Sequence, residues 1–254
     1  MELIEGIRQE GSSFIFDFDT DRPTDIIRLT EEVKELRLFG RVFYYAYEFS
    51  DFVDSSVRTR FIHDFKFDAI PTDVRSKFIT RAVDRLNGHV DLDGFSAVVY
   101  PESKSTVVSD VLEYIYMCAH KPMKSFKLVK SLPQDIEFDY DAFTQTRLDS
   151  GTYTEAQKAE VLSNIRQMMD RIHSLDYFSI ARDSKYKYRK YLKDFYYFDN
   201  LEQEKDYARL SDGKVLLIDD VTTSGTTLSL MLQTLKCVFP REVVIFSIVG
   251  NHKL

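Results

Sequence analysis

Cysteine is scarce in this chain. Its two cysteines, Cys118 and Cys237, have no CxxC partner and no Cys or His neighbour at metal-ligand spacing, which argues against a clustered metal site. Both stand in apolar, helix-patterned surroundings and read as free, buried thiols. No apolar stretch approaches the length that crosses a bilayer, and the start Met1-Glu2-Leu3-Ile4-Glu5 has no basic region leading into an apolar run. A reduced, cytoplasmic protein with no membrane partner is the expectation. Basic residues are outnumbered, 34 against 41 acidic, and the formal charge of -7 disfavours a nucleic-acid backbone as partner. A small molecule is expected instead. Internal repeats and low-complexity tracts are absent, and His63, His89, His120, His173 and His252 show no spacing that marks a metal site or a nucleophile pair.

What is present is an ordinary globular composition, 44% hydrophobic and 30% charged over 254 residues, enough for one large α/β domain with an elaboration. In residues 1–90 the aromatic runs 41–49 and 61–67 read as strands, which predicts an antiparallel, β-rich elaboration packed on or beside the main domain. Thr72 is placed to cap a helix bearing Phe78, Ile79, Ala82, Val83 and Leu86 on one face, with Asn87-Gly88 as its stop. Over residues 91–254 strand and helix patterns alternate: strand 95–100, a helix with Val107, Val108, Val111, Leu112 and Ile115, strand 125–132, helix 154–175, strand 214–218, helix 226–238 and strand 242–249. Such alternation predicts a parallel sheet with flanking helices, here interrupted by an insertion at about 133–184. Ligands of these sheets sit at the C-terminal strand ends, where the loops Pro101–Ser105 and Asp219–Thr227 fall.

The second loop carries the chemistry. Val215-Leu216-Leu217-Ile218 is a buried strand, and Thr222-Thr223-Ser224-Gly225-Thr226-Thr227 offers hydroxyls and backbone N–H groups at a helix start, a setting for a phosphate. Gly225 permits close backbone approach or a positive φ. The adjacent carboxylates of Asp219 and Asp220 repel one another unless they meet hydroxyls, cations or water, so they suit a polyol near a metal. No Gly-Lys-Ser/Thr ending is present, which excludes a Walker A loop.

The run VLLIDDVTTSGTT resembles the signature of the type I phosphoribosyltransferases, which binds 5-phosphoribosyl-1-pyrophosphate (PRPP). That resemblance implies a Rossmann-like core and a catalytic role for Asp219 and Asp220, which would face the ribose hydroxyls while Thr222 to Thr227 wrap the 5-phosphate. By position it also implies a pyrophosphate loop at Ser103, Lys104 and Ser105, and a point charge among hydroxyls is chemically apt there. The segment 184–191, with Lys185, Lys187, Arg189 and Lys190, reads either as a mobile basic lid with Arg189 on the pyrophosphate or as a solvated edge with inward tyrosines. The implied reaction is transfer of ribose 5-phosphate from PRPP to a nitrogen acceptor such as a nucleobase. Mg2+ would be held mainly by ligand oxygens, with no direct protein ligand. A PRPP- or nucleotide-sensing regulator without base transfer is the alternative. The resemblance covers the chain from about Phe95 onward, so the acceptor's hood is expected from the N-terminal sheet, the insertion or the second subunit of a homodimer.

Overall fold

The computed structural model of the chain describes residues 4–11, 13–20, 27–49, 53–67, 69–149, 153–199, 201, 204–222 and 224–250. In chain order the strands and helices are β1 (Ile4–Glu10), β2 (Ser13–Thr20), β3 (Ile27–Leu38), β4 (Arg41–Phe49), α1 (Ser55–Lys66), α2 (Thr72–His89), β5 (Ala97–Pro101), α3 (Val107–Cys118) and β6 (Lys124–Lys130). There follow β7 (Glu137–Phe138), α4 (Tyr140–Phe143), α5 (Glu155–His173), α6 (Ile180–Asp183), β8 (Leu192–Lys193), β9 (Tyr196–Phe198), α7 (Glu204–Ser211), β10 (Lys214–Val221), α8 (Thr226–Lys236) and β11 (Glu242–Gly250). The chain forms two compact units. The first comprises residues 1–127, 200–225 and 238–254, the second 128–199 and 226–237.

The first unit is α/β, built on a mixed sheet. Its centre is parallel, with β4 beside β11, β11 beside β10 and β10 beside β5. An antiparallel elaboration is partly seen at the N-terminus, but it is formed by β1 to β3, with β3 antiparallel to β4; of the two runs expected to form it, 41–49 is β4 and 61–67 is not a strand. Strand β10 is buried from Val215 onward, as a near-continuous apolar run in a parallel sheet must be. Alternate residues along three strands, Tyr47 and Phe49, Leu216 and Ile218, Val244 and Phe246, join one core with Phe61 and Phe65 of α1, Phe78, Ile79, Ala82, Val83 and Leu86 of α2, and Val107, Val111 and Ile115 of α3. The N-terminal aromatic residues are thus part of the main core.

Residues 61–67 are not a strand. They end α1, because Phe61 and Phe65, four apart, share a buried helix face whereas Phe67 is 52% exposed. The seven-residue alternation was too short to tell the two periods apart. Helix α2 is preceded by Pro71 rather than capped by the Thr72 side chain, and it runs through Asn87-Gly88 to His89. The buried-thiol expectation also fails, since Cys237 is exposed and Cys118 half-buried.

In the second unit β6 pairs antiparallel with β9 and β7 with β8. Helix α5 starts with a capping box in which the Thr154 hydroxyl accepts from the Gln157 N–H and the Gln157 side chain accepts from the Thr154 N–H. Phe138 and Phe143 pack against Tyr188 and Tyr191.

Candidate functional site

Strand β10 delivers Asp219 and Asp220 to its C-terminal end, where both are buried, 7% and 2% exposed. Each carboxylate is held by the backbone that follows it: the Asp220 N–H donates to Asp219 Oδ1 at 3.0 Å, and the Val221 N–H to Asp220 Oδ1 at 2.6 Å. A side-chain hydrogen bond also joins Asp219 to Asp220. The neighbouring strand fixes the main chain, with the Thr222 N–H donating to the Val249 carbonyl at 2.8 Å and the Ser247 hydroxyl within donor distance of the Asp220 and Val249 carbonyls.

A third charge belongs to this cluster. Lys66, the last residue of α1, brings its ammonium to 2.7 Å from Asp220 Oδ1. Burial works against the charge on Lys66, but Asp220 and then Asp219 outweigh it and raise the pKa above the ordinary lysine value. Burial, reinforced by the Asp220 charge and opposed by Lys66, pushes the Asp219 carboxyl up to about 8. Sequence reasoning missed Lys66, which lies 153 positions before Asp219 (219 minus 66) in a segment misread as a strand.

The loop after β10 begins with Thr222, buried, whose Oγ1 has no hydrogen-bond partner among the described residues. Thr223 lies outside the described residues. Ser224 is exposed and Gly225 is buried with φ at +65°, the left-handed region that a side chain adopts only at a cost. Thr226 and Thr227 are half-buried and open α8, the first segment of the second unit in this part of the chain.

The structure brings Ser103, Lys104 and Ser105 to the same edge, because β5 and β10 are adjacent and parallel in the first unit and both loops leave their C-terminal ends. Ser103 and Lys104 are exposed, and Ser105 is buried. Ser103 Oγ accepts from the Ser105 N–H at 3.1 Å and Ser105 Oγ from the Val107 N–H at 3.2 Å, so the hydroxyls also shape the entry to α3. Arg75 of α2, unforeseen in the sequence, braces that entry by donating to Thr106 Oγ1 at 2.8 Å and pairing with Asp110 at 3.3 Å.

Arg189 belongs to the second unit. It sits in a 3-10 helix, Tyr186–Tyr191, and donates from Nε and Nη2 to the Ser184 carbonyl at 3.3 and 3.2 Å. Tyr188 and Tyr191 are buried, whereas Tyr186, Lys185, Lys187 and Lys190 are exposed. No group of three His, Cys, Asp or Glu among the described residues is placed to hold a metal ion. No helix among them is long and apolar enough to cross a membrane.

No protein-family model matches the chain, and no curated protein matches it. Among solved structures it is similar to a hypoxanthine phosphoribosyltransferase from Staphylococcus aureus, at 11% identity and a TM-score of 0.37, the match covering 70% of this chain and 66% of that one. The chain therefore spans just under two thirds of that structure. Overlap this loose carries no activity from one protein to the other.

Proposed function

We propose that the chain binds PRPP at the end of β10 and transfers its ribose 5-phosphate to a nitrogen acceptor, releasing pyrophosphate. The observation that carries this reading is the buried acidic pair at the end of β10: Asp219 and Asp220 each accept from the following backbone N–H through Oδ1, and a hydrogen bond joins the two side chains. Two such acceptors side by side match the vicinal hydroxyls of a ribose. Directly after them the Thr222 hydroxyl, without a hydrogen-bond partner among the described residues, and the left-handed turn at Gly225 support assignment of these two residues to the 5-phosphate, the rest of the loop to Thr227 resting on the resemblance alone. The adjacent Ser103-Lys104-Ser105 loop supports a pyrophosphate subsite by its exposed ammonium and position. The role of Arg189 rests on the resemblance alone.

In the reaction the C1–oxygen bond to pyrophosphate breaks as the C1–nitrogen bond forms, and positive charge builds on the sugar ring. Carboxylates fixed below that ring act by position and electrostatics. For Mg2+, the ammonium already at Asp220 Oδ1 disfavours a second cation on the same carboxylate, so the residues fit an ion carried on ligand oxygens and water. Its chemistry there would be to neutralise the leaving pyrophosphate. The test is pyrophosphate release from Mg-PRPP across purine, pyrimidine and other nitrogen acceptors. Turnover with an acceptor supports the transferase; PRPP binding with no turnover on the whole panel replaces it with the sensor.

A further inference from the structure

We propose that Lys66 is the built-in counter-ion of the acidic pair: from the end of α1 it positions Asp220 and lets the two carboxylates receive a polyol with no metal ion bound directly to either. The ribose part of this inference rests on the function proposed above.

The geometry has three parts. The contact is short and directed, 2.7 Å from Lys66 Nζ to Asp220 Oδ1, and it converges on the same oxygen that the Val221 N–H holds at 2.6 Å. Asp220 Oδ1 is thereby fixed from two sides, which sets the direction of Oδ2. The second part is burial: the Asp220 side chain is 3% and the Lys66 side chain 27% exposed, so water screens the pair poorly and the ion pair is worth more than one on the surface. Third, the lysine is anchored. Phe61 and Phe65 on the same helix are fully buried, and Phe61 packs edge-on against Phe14 and Phe49, so the end of α1 cannot drift from the sheet without opening the core.

Charge arithmetic explains why such a residue is needed. Two adjacent buried carboxylates repel each other and both lose hydration, which in many sites is relieved by a divalent cation. Here the Lys66 ammonium on Asp220 and the proton that Asp219 keeps up to about pH 8 share that work, leaving the pair for neutral hydroxyl groups. A divalent ion at the same oxygen would meet the ammonium's repulsion. Lys66 is therefore a positioning residue for the site.

The test compares wild type, Lys66→Met and Lys66→Arg without ligand, by following the carboxyl carbon resonance of Asp219 through a pH titration, with Mn2+ alone added in a second series. We expect Lys66→Met to move the titration of Asp219 upward by about one unit or more, with Lys66→Arg restoring most of it. We also expect Mn2+ to bind Lys66→Met and not wild type at the same concentration. An unshifted titration in folded Lys66→Met, or equal Mn2+ binding in both, overturns the proposal. If Lys66→Met does not fold, wild type decides: a Lys66 ammonium resonance that follows the titration of Asp219 is expected, and an independent one overturns it. PRPP calorimetry is a separate arm, in which Lys66→Met should weaken binding by about tenfold and Lys66→Arg by less. No PRPP binding by wild type sinks the transferase reading while the ligand-free results still judge Lys66.

Discussion

Tyr47 of β4 lies flat on Phe78 of α2, ring centroids 3.8 Å apart and planes 13° from parallel, and its hydroxyl donates to the Phe78 carbonyl at 3.2 Å. Stacking and hydrogen bond together join an N-terminal strand to the helix over the parallel sheet. Tyr47→Ala should cost about 3–5 kcal/mol through the cavity it leaves. Tyr47→Phe, which loses only the hydrogen bond, should cost about 1 kcal/mol. Urea unfolding with unchanged m-values measures both, and a loss near zero for the alanine variant would contradict the packing.

The two thiols should separate cleanly. Cys237 is exposed, whereas burial and then the nearby Asp84 raise the pKa of the half-buried Cys118. Native labelling at neutral pH is expected to show one fast thiol that disappears in Cys237→Ser. A fast phase that survives this change would assign the reactivity to Cys118 instead.

The elements legible in the sequence were those whose pattern is local and long. The run Val215 to Val221, the helical spacing from Phe78 to Leu86 and the alternation of strand and helix after residue 91 all appear in the structure. Phe61 to Phe67 was misread because a short aromatic run fits both periods, and burial of Phe61 and Phe65 on one helix face settles it. Cys237 sits beside an apolar helix yet outside its buried face, a distinction that only packing makes. Lys66 was illegible for another reason: its partner Asp220 is remote in sequence, and nothing local marks a lysine that will be buried.

The raised pKa of Asp219 makes stability depend on pH. Its carboxyl ionises near 3.8 when unfolded and at about 8 in the fold, so between these values the native state holds the extra proton and stability falls as pH rises. The contribution is fully present below the lower value and gone above the upper one. Asp219→Asn removes that slope while its amide oxygen can still accept from the Asp220 N–H. The melting temperature of Asp219→Asn relative to wild type should therefore rise from about pH 5 to about pH 8. A difference that stays constant or shrinks over this range would place the titration elsewhere.

Gly225→Val tests the loop. A β-branched residue at φ +65° is strained by about 1–2 kcal/mol, and its side chain also blocks close approach of an anion to the backbone. The variant should fold with a lowered melting temperature and gain no thermal protection from Mg-PRPP. Protection equal to that of wild type would remove the 5-phosphate from this loop.

The central claim is that the carboxyl groups of Asp219 and Asp220 receive the ribose hydroxyls of PRPP. Isothermal calorimetry of Mg-PRPP with wild type and with the folded double variant Asp219→Asn, Asp220→Asn measures it directly. Binding by wild type and loss of at least about tenfold in affinity in the double variant is the predicted result, since the pair loses its negative charge and its hydrogen bonds to the hydroxyls become neutral ones. Equal affinity in the two proteins, or no binding by wild type, would contradict it.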